Sequence, residues 1–146
     1  MTCQKQGHYA GKHAGEDISL EEGFKERLLE AAKDGALTCA KTLSLAKESG
    51  KEPRQAGIYL DLLEIRILEC QLGLFGCAPE KRRVKKAEII DPLRQLIEKD
   101  IENGSVSCAS LLKISALYNH GVSPLTVAGM CETLGIKIRP CQLGAF

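Results

Sequence analysis

Residues 35–46 read GALTCAKTLSLA and residues 104–115 read GSVSCASLLKIS. Overlaid at a shift of 69 they share Gly, Cys, Ala and one Leu, and other positions are replaced in kind: Leu37 by Val106, Thr38 by Ser107, Leu45 by Ile114, Ala46 by Ser115. Upstream at the same shift, Phe24, Leu28 and Ala32 fall on Leu93, Ile97 and Ile101. At a shift of 71, IRILECQLGLF (65–75) falls on IKIRPCQLGAF (136–146), with seven of eleven positions identical. Matched blocks in the same order at nearly constant spacing mark an internal duplication, and the repeat sets the unit of structure. The copies span 19–76 and 88–146, the second having gained two residues near NHGVS (119–123).

Each copy reads as three helices followed by a short extended hook. SLEE (19–22) has a capping-box pattern, with Ser19 as cap and Glu22 reaching back. Apolar residues then recur at helical spacing through Phe24, Leu28, Leu29 and Ala32 up to the stop at Gly35. In the second copy Asp91-Pro92 caps and starts the first helix, which runs through Leu93, Leu96, Ile97 and Ile101 to Asn103-Gly104. Thr38 and Ser107 cap second helices over 39–48 and 108–118. Gly50 and His120-Gly121 break them, and third helices begin at Pro53 and at Ser123-Pro124. LGIKI (134–138) leaves its helix through Gly135 and alternates, which predicts a short extended segment. The expected fold is therefore mainly all-α, two tandem three-helix repeats related by a pseudo-two-fold, each closed by its own CQLG-x-F hook.

The stretch LLKISALYNHGVSPLTVAGMCETLGIKI (111–138) resembles a helix-turn-helix. Ala116 falls in the second helix, Gly121-Val122-Ser123 in the turn and Val127 at the anchor of the third. Copy one offers Ala46, Gly50 and Ala56, with GKEP (50–53) as the turn. The Ala-to-Gly step is four residues in copy one and five in copy two, a departure from the common pattern. The resemblance implies a binding module that presents its third helix to the major groove of double-stranded DNA. Arg54 and Gln55, at the start of the third helix of copy one, suit base or phosphate contacts. PLTVAGMCETL (124–134) in copy two has no Lys, Arg, Asn or Gln. The basic run Lys81, Arg82, Arg83, Lys85 and Lys86 in the linker 77–87 would add phosphate contacts, or serve as a solvated face. A regulatory protein is the other partner these features allow.

The repeat pairs Cys39 with Cys108 and Cys70 with Cys141. Helix N-termini favour thiolate at Cys39 and Cys108. Four soft ligands would suffice for zinc or an iron–sulfur cluster, and the same thiols would allow a redox protein or a disulfide. Against that, no C-x2-C knuckle is present, and buried cysteine packs as a small hydrophobe. Cys131 falls opposite Leu60, a core position. Cys3, His8 and His13 form a C-x4-H-x4-H pattern within a glycine-containing segment, 1–18, expected to be a flexible arm.

Composition bounds the rest. The 146 residues carry 20 basic and 19 acidic groups, a net charge of +1, which excludes a strongly basic coat protein. No Trp and six Phe or Tyr leave an aliphatic core. No apolar run approaches the roughly 20 residues that span a bilayer, and the N-terminus lacks the apolar stretch of a signal peptide. The expected location is the cytoplasm, where seven cysteines read as thiols. No nucleophile elbow, phosphate loop or zinc-protease motif is present, so no enzyme and no cofactor is expected.

Overall fold

The computed structural model describes residues 9–14, 19–76 and 82–145. It is mainly helical, with six α-helices and four two-residue strands among the described residues. In chain order these are α1 (Glu22–Ala31), β1 (Ala36–Leu37), α2 (Cys39–Glu48), α3 (Pro53–Leu62) and β2 (Arg66–Ile67). Then follow α4 (Asp91–Lys99), β3 (Ser105–Val106), α5 (Cys108–Leu117), α6 (Pro124–Leu134) and β4 (Lys137–Ile138). Short 3₁₀ turns occupy Tyr9–His13 and Tyr118–His120.

Local chemistry explains most boundaries. Thr38 and Ser107 cap α2 and α5, each side-chain oxygen accepting a backbone N–H three residues on, from Lys41 and Ser110, at 3.1 Å. Ser123 caps α6, accepting from the Leu125 N–H at 3.2 Å. The start of α1 differs from expectation. Ser19 does not cap it; Glu21 holds the N-cap position, and its backbone N–H donates to the Tyr59 hydroxyl at 2.8 Å. Tyr59 lies 5.0 Å, centroid to centroid, from Phe24, so the ring that anchors the helix entry also packs under it. In α4 the cap is Ile90, and Asp91 is already helical.

Asp34-Gly35 and Asn103-Gly104 do more than stop a helix. All four have positive φ (53°, 71°, 51° and 77°), as the central pair of a type I′ turn requires. Each turn closes a single antiparallel bridge, Lys33 with Ala36 and Glu102 with Ser105. The chain so reversed enters β1 or β3. These strands pair in parallel with β2 and β4, Ala36 opposite Arg66 and Ser105 opposite Lys137. The first strand of each pair was not expected from sequence.

The chain divides into two compact units. Among the described residues the first holds 9–14, 19–70, 75–76 and 143–145, and the second holds 71–74 and 82–142. In the first, Phe24, Leu28, Leu60, Ile65, Ile67 and Leu143 are essentially inaccessible to solvent. In the second the same is true of Leu72, Leu93, Ile97, Leu111, Met130 and Val106. The expected self-closing hook is therefore corrected: residues 143–145 belong to the first unit and 71–74 to the second. A glycine accounts for the first of these seats, and a second glycine admits the segment 82–87 on α6. A β-carbon on Gly57 in α3 would overlap the Leu143 carbonyl, and one on Gly129 in α6 would lie 2.6 Å from the Lys85 carbonyl oxygen. Only a helix surface stripped to backbone admits another backbone so closely.

Candidate nucleic-acid interface

Helix α2, the turn Ser49–Glu52 and α3 form the corner of the first unit. Gly50 turns at φ +68°, and the Lys51 N–H reaches back to the Ala46 carbonyl at 2.8 Å. In the second unit the matching bond runs from the Val122 N–H to the Ser115 carbonyl at 2.7 Å. Ser115 is buried and Ala116 exposed, so Ser115, not Ala116, fills the small-residue position of that corner. The two extra residues are absorbed by the 3₁₀ turn, where Asn119 and His120 have positive φ.

Arg54 and Gln55 lie exposed in the first turn of α3, but neither side chain simply points to solvent. The Gln55 carbonyl oxygen accepts the Glu52 backbone N–H at 2.9 Å, completing a capping box. The Arg54 guanidinium lies over Gly144, which turns at φ +77°. Arg54, Gly57 and Asp61 share one stripe of α3. Leu143–Gly144 covers its upper part and the 3₁₀ turn Tyr9–His13 its lower part.

That lower contact was missed by the sequence reading of 1–18 as an arm. Residues 9–14, the described part of the segment, dock on α3. The Glu64 carboxylate accepts the backbone N–H groups of Tyr9 and Ala10, both at 3.0 Å. His13 Nε2 meets Asp61 Oδ2 at 2.8 Å, with both residues buried. Burial pushes the Tyr9 phenol up, Arg66 nearby opposing it. The signal available in sequence was Asp61 itself, an acid within the apolar run YLDLL (59–63), since a buried carboxylate requires a partner. Of the C-x4-H-x4-H pattern, Cys3 and His8 lie outside the described residues, and His13 is the described member.

The basic run is part of the second unit. Arg82 is exposed and ion-paired with Glu132 of α6. The Arg83 and Val84 N–H groups donate to the Gly73 carbonyl at 2.8 and 3.1 Å, and Val84 is buried. Lys85 and Lys86 are exposed. Beyond them the Ala87 N–H bonds the Gly129 carbonyl, and the Thr133 hydroxyl donates to the Ala87 carbonyl at 2.7 Å. Residues 82–87 thus lie as a strap on α6, with two lysines facing out. Lys81 lies outside the described residues.

Within each unit the helix-opening cysteine lies next to the hook: Cys39 with Cys70 in the first and Cys108 with Cys141 in the second. Cys39 opens α2 and Cys108 opens α5. The Cys39 N–H donates to the carbonyl of Glu69, the residue before Cys70, at 3.0 Å. The Cys108 N–H donates to the carbonyl of Pro140, the residue before Cys141, at 3.1 Å. All four are buried, as is Cys131, whose thiol is pushed up to about 11, chiefly by desolvation and then by Glu132. Among the described residues no group of three or more His, Cys, Asp or Glu side chains is placed to hold a metal ion. Cys3 and Cys77 lie outside the described residues.

Among the described residues no helix is long and apolar enough to cross a membrane. Comparison of the chain with models of protein families, with curated proteins and with solved structures finds nothing that matches.

Proposed function

We propose that the chain is a non-enzymatic DNA-binding regulator of the cytoplasm, built from a duplicated helix-turn-helix-like unit, with the first turn of α3 as its contact to the duplex. One observation carries this reading: the corner of the first unit leaves Arg54 exposed in the first turn of α3, where its guanidinium suits a phosphate, with Gln55 exposed beside it. Lys85 and Lys86, outward on their strap, supply further positive charge. The test is fluorescence anisotropy with a duplex of mixed sequence at stepped salt. Log affinity should fall linearly with log salt, with a slope that becomes shallower in Lys85→Glu/Lys86→Glu. Arg54→Ala should weaken binding at every salt concentration. Absence of binding at low salt would overturn the DNA reading.

A second reading, a helical module that contacts a regulatory protein, draws support from α6. Its exposed polar groups include no cation, and Glu132 is committed to Arg82. Salt-insensitive capture of a protein partner, lost on substitution in α6, would favour it over DNA.

A further inference from the structure

We propose that each unit carries a reversible dithiol, Cys39 with Cys70 and Cys108 with Cys141, that exchanges with low-molecular-weight disulfides. The carbonyl preceding each hook cysteine accepts the backbone N–H of the helix-opening cysteine, at 3.0 and 3.1 Å. Bond lengths then limit the separation of the two α-carbons to at most about 7 Å. Disulfides in proteins span about 4.4–6.8 Å between α-carbons. In both units the hydrogen bond thus holds the two α-carbons within about the reach of a disulfide.

A packing role alone is a weaker account. The two residues before each helix-opening cysteine are replaced in kind between the copies, Leu37 by Val106 and Thr38 by Ser107. Yet all four cysteines are cysteine in both copies. Cys131 serves as an internal contrast: it lies inside α6, with Leu60 in the matching position of the other copy.

The chemistry follows from position. Cys39 and Cys108 are the first residues of ten-residue helices, where the aligned peptide dipoles stabilise thiolate. Local opening of the hook admits a small disulfide. The helix-opening thiolate attacks one of its sulfurs, forming a mixed disulfide, and the departing thiolate takes up a proton. The hook cysteine then gives up its proton and attacks the protein sulfur of that mixed disulfide, displacing the second small thiol. Each unit loses two protons and two electrons, and one small disulfide becomes two thiols.

The test uses the full chain equilibrated in glutathione buffers from fully reduced to fully oxidised, quenched in acid and mapped by mass spectrometry, with circular dichroism recorded alongside. The expected products are two links, 39–70 and 108–141, both reversed by dithiothreitol, with Cys131 alkylated only after denaturation. Cys70→Ser should halt Cys39 at the glutathione adduct while 108–141 still forms, and Cys141→Ser should do the converse. The proposal is overturned if either pair stays reduced in oxidised glutathione while the helical signal persists. It is equally overturned if the links join other pairs, or if the wild-type chain accumulates only glutathione adducts.

Discussion

His13 and Asp61 meet at 2.8 Å between Nε2 and Oδ2, in a site where both residues are almost fully shielded from water. The contact fastens a segment near the start of the chain to the outer stripe of α3, the helix on which the DNA reading depends. Removing the imidazole takes a close hydrogen-bond partner from a buried side chain. His13→Ala should therefore cost about 1–3 kcal/mol in urea denaturation. The double variant His13→Ala/Asp61→Leu should recover much of that loss, because the buried charge goes with its partner. Equal losses in His13→Ala and the double variant would contradict that recovery.

Gly57 and Gly23 are both helical glycines but should respond oppositely to alanine. Helix propensity favours alanine by up to about 1 kcal/mol at either site. Gly23 is exposed in α1, the nearest atom to an added β-carbon being Glu21 Oε1 at 3.8 Å, so Gly23→Ala should stabilise by about 0.4–1 kcal/mol. Gly57→Ala must displace the Leu143 backbone and should destabilise by about 1–3 kcal/mol. Thermal melts of the two variants decide it.

Leu143 comes from the second repeat and is fully buried in the first unit. Leu143→Ala should cost about 2–5 kcal/mol. Hydrogen exchange should localise the damage: amides of α3 lose protection more than those of α6. The reverse pattern would mean the hook closes its own repeat.

Cys131 gives a pH dependence with a defined sign. Its thiol titrates higher in the folded chain, at about 11, than in the unfolded one. The folded state therefore holds the proton more tightly. The resulting stability is complete below the unfolded value and is lost as pH rises from about 9 to about 11. With about 1.4 kcal/mol for each pH step between the two values, the loss is about 2–3 kcal/mol. Subtracting the stability–pH curve of Cys131→Ala from that of the wild type should isolate that step, and a flat difference would contradict it.

The helical frame was legible because its signals are local. Thr38, Ser107, Pro53 and Ser123-Pro124 act on the backbone within a few residues, so their chemistry declares a boundary wherever the chain goes next. Where the expectation slipped, a distant group had intervened: the Tyr59 hydroxyl binds the entry of α1 and leaves Ser19 with nothing to cap. Ala116 misled for a related reason, since a turn lengthened by two residues had its slack taken up in a 3₁₀ segment and not in α5. For the interface, sequence identified Arg54, Gln55 and the lysines as chemically suited. It gave no sign that Gln55 is folded into a capping box or that Arg54 lies over Gly144.

By itself the sequence determined most of the elements: two sets of three helices, the caps of α2, α5 and α6, the breaks between helices and an extended segment after each set, all set by short-range sterics and hydrogen bonding. Tertiary structure alone decided which surface each CQLG hook occupies, that residues 9–13 fasten to α3, and that the basic run lies along α6. Those choices depend on close backbone approach at Gly57 and Gly129 and on satisfying buried polar groups such as Asp61. Such requirements arise only when segments far apart in the chain compete for the same site.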